Sequence, residues 1–333
     1  MVRNEFDGRE KPMLIRKPTD LRYCDVTPKH VYLNRRKFLG TGASVLGALT
    51  LPGAAGAKPM PLQDIDKSGK YHQMFPDAVT PEEAVTSYNN YYEFGTGKDD
   101  PSRNAPKWMP DPEWPVVIDG EVHAKKTLSL AEIMKLAPLE ERIYRHRCVE
   151  AWSIVVPWVG FSLSHLLKQV EPTGKAKFVA FETFYDPDVM LSPRQAGIPF
   201  PYVDGLRMDE AMHPLTMLSF GMYGETLPNQ DGAPMRLTVP WKYGFKSVKS
   251  IVRVTFTEKE PPCTWNRYAP NEYGFYSNVN PNRDHPRWSQ KQEQRLGGGF
   301  LGLGTKIDTV IFNGYGDQVA SLYEGMDLIH KYY

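Results

Sequence analysis

One thiol in this chain has an uncommon charge setting. In the run E-R-I-Y-R-H-R-C-V-E-A-W-S, residues 141–153, Arg142, Arg145, His146 and Arg147 crowd Cys148 at the end of a strand-like segment. Positive neighbours favour the thiolate, the form that acts as nucleophile and as metal ligand. On its own the residue reads either as such a group or as a buried structural cysteine. Two other segments carry chemistry of a complementary kind. Tyr88-Asn89-Asn90-Tyr91-Tyr92-Glu93-Phe94 is dense in polar groups and rings, which suits a flat polar heterocycle, or equally an aromatic core. Trp241-Lys242-Tyr243-Gly244-Phe245-Lys246-Ser247-Val248-Lys249 puts cations on a loop between strands, which suits an anionic phosphate, or equally a solvated turn.

Other motifs lead nowhere. Gly297–Gly302 fits G-x-G-x-x-G, but the dinucleotide fingerprint needs a strand before it and a helix after it. Here Ser289–Arg295 is polar and a strand follows, so the glycines read as a surface loop. The sequence has no C-x-x-C-H, no paired C-x-x-C, no H-E-x-x-H and no G-x-S-x-G. A Ser/His/Asp triad assembled from distant positions stays open.

The elements that must position these groups read as follows. Val116–Val122 is a strand entering a tight Asp119-Gly120 hairpin turn. Ser129-Leu130-Ala131-Glu132 matches a capping box and starts a short helix. Leu163, Leu166, Leu167 and Val170 follow helical spacing, which predicts a helix over 162–170. Strands are expected at 177–183, 215–222, 235–239, 251–257 and 305–312. In 251–257, Val252, Val254 and Phe256 alternate with Arg253 and Thr255, giving one buried and one wet face. Several strands with few short helices and no βαβ alternation make the fold class α+β and β-rich.

The N-terminus bears on where the chain works. Arg35-Arg36-Lys37-Phe38-Leu39, the weakly apolar run from Phe38 to Leu51 and Ala55-Gly56-Ala57 form a cleavable twin-arginine export signal. At 14 residues, with Gly40, Gly42 and Gly47 inside, the run is too short to span a bilayer. That route carries proteins already folded, often around a cofactor. The expected organisation is a cleaved signal at 1–57, an extended arm at 58–86 and a single domain at 87–333. Residues 58–333 hold 30 basic and 34 acidic side chains, a balance that argues against a nucleic-acid partner. No later stretch is apolar for long enough to cross a membrane. Of Cys24, Cys148 and Cys263, only the last two belong to the mature part, where they either pair or serve separately.

These residues also carry a resemblance. R-x-R-C-V-E-A-W-S at 145–153, S-Y-N-N-Y-Y-E-F-G at 87–95 and V-P-W-K-Y-G-F-K-S at 239–247 closely resemble the periplasmic protein-methionine-sulfoxide reductase catalytic subunits. The segments 271–281 and 284–289 extend the likeness along essentially the whole mature chain. The resemblance implies a sulfite-oxidase-type, molybdopterin-binding fold with one molybdenum on a single pyranopterin dithiolene. It puts the metal-ligating cysteine at Cys148. It implies Asn89, Tyr92, Glu93, Thr183, Asp231, Arg236, Ser247, Val248 and Lys249 as the residues that hold the pterin and its phosphate. Asp231 departs from the family's usual Asn, and a carboxylate only accepts hydrogen bonds where an amide also donates.

Arg145 and Arg147 are expected to offset the charge of a sulfur-rich metal centre. His146, Trp152, Trp241 and Trp265 are candidates for lining an open substrate site. The implied activity is reduction of methionine sulfoxide in exported proteins, with electrons from an inner-membrane b-haem partner subunit. Rival readings are a sulfite dehydrogenase on the same fold and a periplasmic binding module without chemistry.

Overall fold

The computed structural model describes residues 59–297, 304–331 and 333, all within one unit spanning Ala54–Tyr333. The export signal and most of the glycine run at 297–302 lie outside the described residues. Among these, twelve strands form two sheets. Their ranges are β1 Val116–Gly120, β2 Lys126–Leu128, β3 Glu140–Arg147, β4 Trp152–Ser162, β5 Phe178–Thr183 and β6 Val203–Arg207. The rest are β7 Met217–Met222, β8 Glu225–Thr226, β9 Arg236–Thr238, β10 Ile251–Thr257, β11 Gln292–Arg295 and β12 Thr305–Asp308.

The first sheet runs β2-β1-β10-β5-β6, with only β1 and β10 parallel. The second runs β12-β11-β4-β7-β8, with β3 added to β4 and β9 to β7. Its spine is β4, W-S-I-V-V-P-W-V-G-F-S, buried at every position. A continuous apolar run of this kind forms a strand covered on both faces rather than an amphipathic one. Gly160 is needed within it: a Cβ there would lie 1.9 Å from the Leu218 carbonyl oxygen, where the β4–β7 register shifts.

Residues 59–81 contribute no strand of their own but shield strand edges. The Asp66 backbone donates to Leu139 and accepts from Glu141, the His72 carbonyl accepts from Ile143, and the Leu62 N–H donates to Gly224 beside β8. Covering an edge in this way blocks pairing with other chains. The expected arm ends early, because Glu82–Ser87 is helical. No helix among the described residues is long and apolar enough to cross a membrane.

Several elements differ from expectation. The Asp119-Gly120 pair is no turn. Gly120, at φ 86°, stays in register with Phe256, the reversal uses 121–125, and Arg253 and Thr255 hold the Asp119 carboxylate. The capping box at Ser129 forms as predicted. The next helix covers Ser164–Gln169 only, because Ser162 completes β4. In β10 the register slips between Ile251 and Arg253, so Val252 leaves the buried face while Val254 and Phe256 keep it. The last strand stops at Asp308, since Phe312 and Asn313 take left-handed conformations in a 3-10 turn.

Candidate active site

Cys148 directly follows β3 and begins the reversal into β4. Its backbone N–H donates to the Trp152 carbonyl (2.9 Å), and Ala151 takes φ 64° to close the turn. Cys148 is 6% exposed and its thiol faces an open cleft. The Asn90 amide and the Glu150 backbone N–H each donate toward its sulfur at 3.5 Å. The Glu150 carboxylate beside it is tied down by Lys98, Asn90 and the Trp152 indole. Burial, then the Glu150 charge, push the Cys148 thiol up to about 12.

This corrects the expected charge setting. Arg145 turns away to Asp77 and covers the Phe75 ring. Arg147, fully buried, binds Glu293 and Gln290 and donates to the Cys148 carbonyl rather than to the sulfur. Alternation along β3 turns both side chains from the thiol, and of the two only Arg147, together with Lys98, still acts on its charge in the direction of the thiolate. The cations that do line the cleft, Arg236 and Lys249, come from β9 and from the loop before β10.

All ten residues singled out above line this one cleft: Asn89, Tyr92, Glu93, Cys148, Thr183, Asp231, Arg236, Ser247, Val248 and Lys249. Asn89 follows the 82–87 helix and donates to Val85 (3.0 Å) and to the Asp231 carboxylate (2.7 Å). Arg236 donates to the Asp231 and Ser247 carbonyls and lies 4.6 Å over Trp158. Lys249 donates to the carbonyls of Gln230 (2.6 Å) and Asn90 (3.0 Å). Thr183 ends β5, with its N–H on the Tyr202 carbonyl. The 3-10 turn Gly244–Lys246 swings Ser247 and Val248 into the wall, and the Ser247 hydroxyl accepts from Val239. Behind that turn, Lys246 pairs with Asp204, both buried.

The electrostatics are those of a site built for a polar, anionic guest. Burial raises Glu93 to about 7 and Asp231 to about 6. Burial, then the nearby Arg236, lowers Lys249 to about 7, and burial lowers Arg236 to about 10. His146, half-buried, is lowered to about 3 by desolvation first and then by both cations. Four buried polar atoms on this wall have no protein partner: Asn89 Oδ1, Glu93 Oε1, Asp231 Oδ2 and Trp158 Nε1. Buried polar groups are nearly always hydrogen-bonded, so these atoms mark where a guest with its own donors and acceptors fits. Two carboxyl groups and an amide oxygen suit a pterin's amino and ring N–H groups, and Arg236 with Lys249 suits a phosphate. Among the described residues no three His, Cys, Asp or Glu side chains are grouped to hold a metal ion alone.

His146, Trp152 and Trp265 also line the cleft, but Trp241 does not. It is fully buried, with its indole N–H on the Tyr323 hydroxyl. Cys148 and Cys263 are both free thiols. The sequence reading had no role for Trp158, Tyr202, Tyr273 or the Lys98–Glu150–Asn90 network. Asn90 and Glu150 sat in plain view inside the quoted motifs, whereas Lys98 joins them only through the fold.

Comparison with known proteins agrees with this chemistry. The oxidoreductase molybdopterin binding domain family matches residues 103–265. The protein-methionine-sulfoxide reductase catalytic subunit MsrP of Burkholderia mallei (strain ATCC 23344) is 51% identical over 321 residues, covering 94% of this chain and 96% of that protein. Its counterpart in Ralstonia nicotianae (strain ATCC BAA-1114 / GMI1000) is 52% identical over 318 residues, covering 93% and 95%. Among solved structures, the sulfane dehydrogenase SoxCD of Paracoccus pantotrophus aligns with 82% of this chain and 69% of its own, at 16% identity and a TM-score of 0.45. The chain belongs to the protein-methionine-sulfoxide reductase catalytic subunits, a family of molybdopterin-binding oxidoreductases.

Proposed function

We propose that the cleft holds one molybdenum on a single pyranopterin, with Cys148 as the protein's ligand to the metal. The chain reduces methionine sulfoxide to methionine, in proteins exported with it to the periplasm. The observation that carries the reading is the set of partnerless buried atoms around one thiol.

Asn89, Glu93 and Asp231 would receive the pterin's N–H groups, with Tyr92 and Thr183 packed beside it. Arg236, Lys249 and the Ser247–Val248 backbone would hold the phosphate. Such a cofactor supplies a two-electron centre for oxygen-atom exchange, with the soft thiolate as a fitting ligand. Asn90 and the Glu150 N–H orient the Cys148 sulfur and stabilise its anionic form. Trp152, Trp265 and Tyr273 present an apolar wall to the methyl thioether end of the side chain. Because the cleft is open, a methionine sulfoxide on another polypeptide reaches it, and repair returns a flexible apolar side chain to that protein. The net reaction consumes two electrons and two protons per sulfoxide and releases water. The electrons come from a b-haem subunit in the inner membrane.

The test is molybdenum content and dye-driven turnover of natively exported protein, with sulfite and methionine sulfoxide assayed side by side. Cys148→Ser is expected to lose the metal and all turnover while keeping its far-UV circular dichroism. Sulfoxide reduction retained by that variant refutes the ligand assignment.

A further inference from the structure

The cleft is joined to the protein surface by an unbroken run of rings. Tyr92, in the cleft wall, meets Trp265 edge-on with centroids 5.2 Å apart. Trp265 lies 5.0 Å from Tyr273, and Tyr273 lies 5.5 Å from His285. His285 stacks flat on Trp288 at 3.7 Å and 7°. Trp288 is half-buried, and the Arg287 guanidinium, on a 58% exposed side chain, covers it at 4.9 Å.

A shorter route runs from the outermost ring back to the thiol. The Trp288 indole donates to the Val149 carbonyl at 2.8 Å, and Val149 is the residue after Cys148. Beyond that single hydrogen bond, the path to the Cys148 sulfur is wholly covalent.

The surface around Trp288 is basic. The segment 281–291 carries Arg283, Arg287 and Lys291 against one acid, Asp284, which is already bound by Ser289 and the Gln290 backbone. Glu272 nearby is engaged by Arg287. With Asp284 and Glu272 both counted, three cations against two acids leave this face one net positive charge, on a mature chain that is net acidic.

We infer that the Trp288 face is the port where an acidic one-electron donor protein docks and through which electrons reach the cleft. The inference rests on the oxygen-transfer reading above, which needs two electrons for each sulfoxide. The donor is oxidised twice, the S=O bond breaks, two protons come from solvent, and the oxygen leaves as water. The rings are not themselves reduced; they shorten the tunnelling gap, and the hydrogen bond to Val149 couples Trp288 to the Cys148 backbone. The basic rim steers encounter, an effect that salt screens.

Reduced flavodoxin, a soluble acidic one-electron carrier, serves as the probe. Arg287→Glu/Lys291→Glu is expected to weaken flavodoxin binding by about tenfold at low salt and to flatten its salt dependence. Trp288→Leu is expected to slow electron transfer at saturating donor by about tenfold with binding retained, and Trp288→Phe, which keeps a ring but loses the indole N–H, to restore only part of the rate. Wild-type binding by the charge-reversed chain, or a wild-type transfer rate in Trp288→Leu, overturns the port. The binding measurement needs no turnover and so decides on the port by itself. Failure of pre-reduced wild-type enzyme to be re-oxidised by methionine sulfoxide would count only against the oxygen-transfer reading.

Discussion

Glu93 allows the burial argument to be tested without the cofactor. Its carboxyl is fully buried, one oxygen has no partner, and burial lifts it from an ordinary 4.5 to about 7. Between those values the folded chain keeps a proton that the unfolded chain has lost. Stability therefore falls as pH rises across that window, and the loss persists above it. At about 1.36 kcal/mol per pH unit, the interval corresponds to about 3 kcal/mol. The perturbation is Glu93→Gln, which keeps the shape and removes the titration. The assay is urea unfolding of cofactor-free wild type and variant at about pH 5 and about pH 8. The variant is expected to gain about 3 kcal/mol on wild type in going from the acidic to the alkaline condition. Taking the difference between pH values cancels the amide's own cost. Asp231 and Lys249 titrate in both chains, and because the Glu93 charge acts on Lys249 the difference includes that coupling as well. If both chains lose stability equally, the carboxylate is solvated or paired in solution and the reasoning is wrong.

Two further substitutions probe how the wall is held. A Cβ on Gly244 would lie 2.6 Å from His146 Nε2, so Gly244→Ala is expected to cost about 1–3 kcal/mol and to lower molybdenum retention, read by thermal melting and metal analysis. Lys246→Met leaves the buried Asp204 carboxylate without its cation and is expected to cost about 3–5 kcal/mol in urea unfolding. The double variant Asp204→Leu/Lys246→Met is expected to recover most of that loss, because it removes both charges together.

Residue types and order carried most of the site. The three motif segments name a thiol, a polar aromatic run and a cationic loop, and all ten residues drawn from the resemblance line one cleft. Side-chain direction was not legible. Arg145 and Arg147 flank the cysteine in sequence, yet strand alternation sends them to Asp77 and Glu293, partners 68 and 146 positions away. Trp241 failed for a similar reason, since its ring packs inward on Tyr323 and the cleft wall of that loop begins only at Gly244. In the fold, the misses were local irregularities. The slip at Val252 breaks an alternation that the side chains alone would continue, and the left-handed Phe312 and Asn313 end a strand that their composition would extend. Such features follow from register with distant partners, which periodicity does not encode.

The buried Arg147 has a bearing on biogenesis. Its guanidinium grips the carbonyl of Cys148, while Glu293, Gln290 and Thr309 clasp its other edges. The loop bearing the thiol is thus braced by side chains that leave the ribosome more than a hundred residues after it. A nascent polypeptide lacking its final quarter has the sulfur but not the brace. The Cys148 loop accordingly takes its final form only once the last quarter of the chain has been made.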